Sequence, residues 1–155
     1  MKAVNIYITA GRNRDTGMVF WCGKMTYGPH FKRKNGTFTD EMTSTSGGIL
    51  SGLASMISSL KEPAIINVFA GKDQNVKEIS QMLSKTISGK EVLIPNLRAI
   101  ESVKGILSAR GINKISYAPT DGSIDAIETD DMLEAYRISC DNNVSMKNKA
   151  NYPHP

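Results

Sequence analysis

The sequence predicts an α/β fold built on a mixed sheet, and three observations carry that prediction. Three strand-like stretches follow one another before any helical pattern begins. A polar run, Thr43-Ser44-Thr45-Ser46-Gly47-Gly48, then leads into Ile49, Leu50, Leu53, Met56, Ile57 and Leu60, whose spacing places them on one helix face. From there strand and helix patterns alternate, starting with the apolar run Ile65-Ile66-Asn67-Val68-Phe69.

The elements follow in order. Val4, Ile6 and Ile8 alternate with Asn5, Tyr7 and Thr9, a half-buried strand ending at Ala10-Gly11. After a turn-rich connection, Met18 to Met25 reads as a second strand, with Phe20 and Cys22 on one face and Val19 and Trp21 on the other. Asn35-Gly36 is a strong hairpin-turn signal, so Phe38 to Met42 is expected to return as the third strand. The hydroxyl run before Ile49 can cap the first helix, because a Ser or Thr oxygen accepts from an otherwise unpaired N–H of the first turn. Lys61-Glu62-Pro63 stops that helix ahead of the fourth strand. Asp73 is the expected cap of a helix carrying Val76, Ile79, Met82 and Leu83, and Pro95-Asn96 opens another with Leu97, Ile100, Val103, Ile106 and Leu107 inward. Ile112 to Tyr117 reads as the fifth strand, Pro119 to Glu128 as a loop, and Thr129 as the start of a last helix with Asp130 and Asp131 in its first turn.

With 155 residues, 40% of them apolar and 22% charged, the chain has the make-up of a single soluble globular domain, expected over residues 1–140, with a polar, flexible tail over 141–155. No apolar run approaches the roughly 18–20 residues that cross a bilayer. Strand-like sequence begins at once, without a signal peptide's apolar core or cleavage site. Cys22 and Cys140 lack metal-ligand spacing and are expected to be free thiols in a reducing cytoplasm. The net charge of +4 permits nucleic-acid binding without requiring it. His30 and His154 stand in no nucleophile motif, and Gly47-Gly48 lacks the Gly-Lys-Ser/Thr ending of a phosphate-binding loop.

An ordered set of motifs resembles ribonuclease H of the bacterial type 1 family. Ile6-Tyr7-Ile8-Thr9-Ala10-Gly11 resembles the family's first strand, which ends Thr-Asp-Gly, and Thr43-Ser44-Thr45-Ser46 stands where the family has Thr-Thr-Asn-Asn. Phe69 to Val76 is similar to its Thr-Asp-Ser-Gln-Tyr-Val. Pro119-Thr120-Asp121-Gly122 is similar to its Gly-His-x-Gly loop, and Thr129 to Leu133 to the start of its final helix. The resemblance implies a three-layer fold: three antiparallel strands, then two parallel ones, with helices on both faces.

It also implies a lost activity. The family cleaves the RNA of an RNA–DNA hybrid with two magnesium ions about 4 Å apart, held by four carboxylates. By the family's spacing, the first-strand Asp is replaced by Ala10 and the first-helix Glu by Ile49. The fourth-strand Asp falls on Ala70, Gly71 or Lys72, and the histidine on Thr120. Only Asp131, or Asp130 in its stead, survives. The expectation is a pseudoenzyme with no metal and no cofactor. A site rebuilt from Asp15, Asp73, Asp121 or Asp130, with Asp40 and Glu41 also nearby, is the least favoured reading: these residues suit caps, turns and strand ends.

What the resemblance leaves is binding. Gly11, Thr45, Ser46, Gly47 and Gly48 match the places where the family contacts the hybrid backbone, and Arg12, Arg14, Lys61 and Lys72 can add charge. The expected partner is an RNA–DNA hybrid or an A-like duplex. The alternative is a protein-interaction or inhibitor module of the phage or mobile-element accessory type, using the fold as a scaffold.

Overall fold

The computed structural model of the protein describes residues 2–13, 17–38, 44–71, 77, 97–112, 115–120 and 122–150. Five strands, β1 (Ala3–Arg12), β2 (Val19–Tyr27), β3 (His30–Phe38), β4 (Ile65–Ala70) and β5 (Ile115–Pro119), form one sheet in the order β3-β2-β1-β4-β5. β1, β2 and β3 are antiparallel neighbours, whereas β4 joins β1, and β5 joins β4, in parallel. The mixed sheet expected from the sequence is therefore present, with three helices described around it: α1 (Thr45–Ser58), α2 (Leu97–Ala109) and α3 (Ile124–Ala150).

Strand alternation sorts the residues into two layers. Val4, Ile6, Ile8 and Ala10 of β1, Trp21 and Met25 of β2, and Ile66 and Val68 of β4 share one core with Ile49, Leu50, Leu53, Met56 and Ile57 of α1 and Ile100 and Val103 of α2. The opposite face of β1 carries Tyr7, stacked on Phe69 of β4 at 5.1 Å. α3 covers that face, with Tyr136 edge-on to Phe20 of β2. Val19 and Trp21 thus face α1 and Phe20 faces α3, the split that the alternation predicts.

α1 begins as its sequence requires: Ser44 is extended, and its Oγ accepts from the Gly47 N–H at 3.1 Å. Among the described residues, no helix is long and apolar enough to cross a membrane.

Two expectations are corrected. The β2–β3 turn is Gly28-Pro29, not Asn35-Gly36: Tyr27 pairs with His30, and Gly28 has a φ of +56°, which glycine adopts without a Cβ clash. Asn35 and Gly36 lie inside β3, where a Cβ on Gly36 would stand 2.9 Å from Trp21 Nε1, so this glycine makes room for an indole. α3 starts at Ile124 rather than Thr129, because Ser123 Oγ accepts from the Ala126 N–H at 3.3 Å as its cap. Thr129 is an interior residue whose hydroxyl donates back to the Asp125 carbonyl at 2.8 Å. The helix runs to Ala150, with neither Gly nor Pro to interrupt it. The helix expected from Asp73 falls outside the described residues, apart from Lys77.

Candidate functional site

The C-terminal end of β1 meets the head of α1, and the side chains there determine what chemistry is open to the site. Ala10 is 5% exposed, Val19 is wholly buried, and a Cβ on Gly48 would lie 3.3 Å from Ala10 Cβ and 2.5 Å from Val19 Cγ1. Gly48 is therefore the α1 residue that faces Ala10. Ile49, expected there from the family spacing, is wholly buried in the core. The one-residue difference follows from the cap: with Ser44 at the N-cap, Gly48 is the residue whose N–H closes the first helical turn, at 3.0 Å to the Ser44 carbonyl. The place is apolar and filled.

On the opposite face, Gly71 follows β4 and its N–H donates to the Ile8 carbonyl at 2.8 Å. A Cβ on Gly71 would run into the Thr9 side chain and come within 3.5 Å of Asp130 Oδ1. Of the two candidate carboxylates at the start of the final helix, Asp130 is thus placed beside Thr9 and Gly71. Both Asp130 and its neighbour Asp131 are exposed. Ala70 is buried at 2% exposure on the α1 face of the sheet.

Divalent cations need several hard, anionic oxygen ligands. Ala10, Gly48, Ala70 and Gly71 supply no side-chain oxygen, and one carboxylate with one threonine hydroxyl does not fit a two-cation centre. Among the described residues, no group of three or more His, Cys, Asp or Glu could hold a metal ion. Arg14, Asp15, Asp40, Glu41, Lys72, Asp73 and Asp121 lie outside the described residues.

The expected backbone-binding positions separate. Arg12 is exposed, follows Ala10 on the α1 side of β1, and pairs in register with Val19. Thr45 is half-buried in the first turn of α1 and Gly11 is half-buried beneath Phe20. Ser46, Gly47 and Gly48 are buried, because the small residues let α1 close onto the sheet.

A second polar cluster, missed in the sequence, fastens α3. Lys24 of β2 is 6% exposed, and its Nζ lies 2.7 Å from Asp125 and 2.6 Å from Glu128. Arg33 of β3 reaches the same Glu128 oxygen at 3.0 Å, and the Phe31 ring lies beneath both cations. The hydrogen bonds that Lys24 donates to Asp125 and then to Glu128 outweigh the burial of its ammonium and raise its pKa, while those that Glu128 accepts from Lys24 and then Arg33 lower its own. The available signal was a lysine inside an apolar strand and two carboxylates three residues apart.

No protein-family model and no curated protein matches this chain. Solved structures do match. One is the N-terminal RNase H domain of a Mycobacterium tuberculosis protein, determined as a fusion with maltose-binding protein, to which the chain is similar with a TM-score of 0.61. The match covers 90% of this chain and 99% of that one at 14% identity, so the likeness is one of backbone. Together with the strand order and the two helix layers, it shows that this chain has the ribonuclease-H-like α/β fold.

Proposed function

We propose that the protein is a ribonuclease-H-like domain without hydrolytic activity that binds an RNA–DNA hybrid or another A-like duplex along the end of β1 and the head of α1. The observation that carries the loss of catalysis is the contact of Gly48 with Ala10 and Val19. At the place where a ribonuclease H would gather carboxylates around metal, this chain packs alkyl groups and leaves no room for a side chain on Gly48. Removing those carboxylates also removes repulsion toward phosphate. Arg12, whose register partner Val19 packs against Gly48, supplies a cation at this end of the sheet, and the first turn of α1, which includes Thr45, supplies helix N–H groups.

The test is fluorescence anisotropy with labelled RNA–DNA hybrid, duplex RNA, duplex DNA and single strands, in a salt series with magnesium present, followed by denaturing gels. Salt-sensitive binding that favours hybrid or duplex RNA, with strands left intact, supports the reading. Cleavage would overturn the loss of catalysis, and no binding at low salt would overturn the nucleic-acid partner.

The burial of Ser46, Gly47 and Gly48 favours a second reading, in which the closed face is a scaffold for a protein partner. A stable complex with one protein, together with indifference to nucleic acid, would select it.

A further inference from the structure

At the other end of the sheet from Gly48 there is a cleft of about 390 Å³ between the start of β1, the end of β2 and the turn leaving α1. Val4, Met25 and Ala64, each 3% exposed or less, form its floor, and Leu60 and Tyr27 are half-buried at its sides. Its rim carries Lys2, Lys32 and Lys61 against a single carboxylate, Glu62. All four rim residues are exposed, and no ion pair among the described residues engages any of them. The neighbours of Lys32 behave differently: Arg33 is held by Glu128, and Lys34 donates to the Ser55 carbonyl at 3.1 Å. The backbone around the cleft is fixed, since the Ile65 N–H donates to the Lys2 carbonyl at 2.9 Å.

We propose that this cleft binds a small organic anion, an apolar body carrying one carboxylate or phosphate group. An apolar floor removes hydrocarbon from water, and three lysines lining one mouth favour an anion over a neutral or cationic ligand. The volume suits a ligand of about ten to twenty heavy atoms, within the ordinary size range of small-molecule pockets. The site shares no residue with the β1–α1 junction and stands or falls independently of the nucleic-acid reading.

The experiment is an amide chemical-shift titration of the full chain with octanoate, octan-1-ol and inorganic phosphate, repeated on a Lys2→Gln/Lys32→Gln/Lys61→Gln variant. All three substitutions are at exposed positions, and the variant's own spectrum reports whether it is folded. Saturable octanoate shifts confined to Met25, Tyr27, residues 60–62 and Ala64 are expected. Octan-1-ol should bind about tenfold more weakly, roughly the worth of one charge-assisted contact, and the variant should lose the preference for octanoate. Absent or scattered shifts, equal binding of acid and alcohol, or an unchanged variant would overturn the proposal. Phosphate binding as tightly as octanoate would overturn it too, because the floor would then contribute nothing.

Discussion

Lys24 Nζ stands 2.6 Å from Glu128 Oε2, so a buried cation in β2 holds the first turns of α3 against the second face of the sheet. The pair sets a pH dependence. The pKa of Glu128 is lowered from its ordinary 4.5 in the folded chain, so its contribution is complete above that value and is lost as pH falls through the folded pKa. That of Lys24 is raised above 10.5, so its contribution is complete below that value and is lost as pH rises through the folded pKa. Thermal midpoints followed by circular dichroism should fall below about pH 4.5. Glu128→Gln should flatten the acid limb, and Lys24→Met should lower the midpoint at pH 7.

Gly48→Ala should destabilise. A helix interior ordinarily gains about 1 kcal/mol from this change, but here the new methyl would lie 2.5 Å from Val19 Cγ1. Overpacking of this kind costs about 1–3 kcal/mol, so steric strain should exceed the helical gain. In urea denaturation, Val19→Ala combined with Gly48→Ala should be more stable than the sum of the two single effects predicts, because Val19→Ala removes the clash that Gly48→Ala creates.

Ala10→Asp restores the residue type of the family motif in a site only 5% exposed, walled by Val19 and Gly48. A carboxylate there is buried among alkyl groups, so it should cost about 2–4 kcal/mol. The loss should be greater at pH 8 than at pH 5, since ionisation is the disfavoured step. Urea midpoints at the two pH values check this. A gel with RNA–DNA hybrid and magnesium should show no cleavage.

Arg12→Gln should weaken nucleic-acid binding without altering the thermal midpoint, because Arg12 is exposed at the end of β1. If its guanidinium meets one phosphate, the slope of log affinity against log salt should become shallower by about 0.9 on a duplex. An unchanged slope would remove Arg12 from the interface.

The sequence revealed most of the fold because the signals involved were local. Alternation in β1 put Ile6 and Tyr7 on opposite faces of the sheet, and the hydroxyl run supplied the Ser44 cap. Tertiary contacts decided the rest. Asn35-Gly36 carries a turn signal, but its glycine accommodates the Trp21 indole, while the bend forms at Gly28-Pro29. Thr129 looked like a cap because the competing Ser123 is separated from the apolar run by the acidic Asp125 and Glu128, which bind Lys24 from another strand. At the candidate site, spacing counted from the hydroxyl run landed one residue late, on Ile49. In a helix a one-residue error rotates a position by about 100°, enough to exchange the residue facing Ala10 for one in the core.

β1 is made first yet lies in the middle of the sheet, between β2 and β4. During synthesis the β1–β2–β3 meander can form once Phe38 has left the ribosome, but the other side of β1 cannot pair until Ile65–Ala70 follows. Throughout the translation of residues 39–64, the nascent chain therefore presents an open edge beside Val4, Ile6 and Ile8. Slower translation of that stretch lengthens the exposure, and with it the time in which the open edge can pair with another chain.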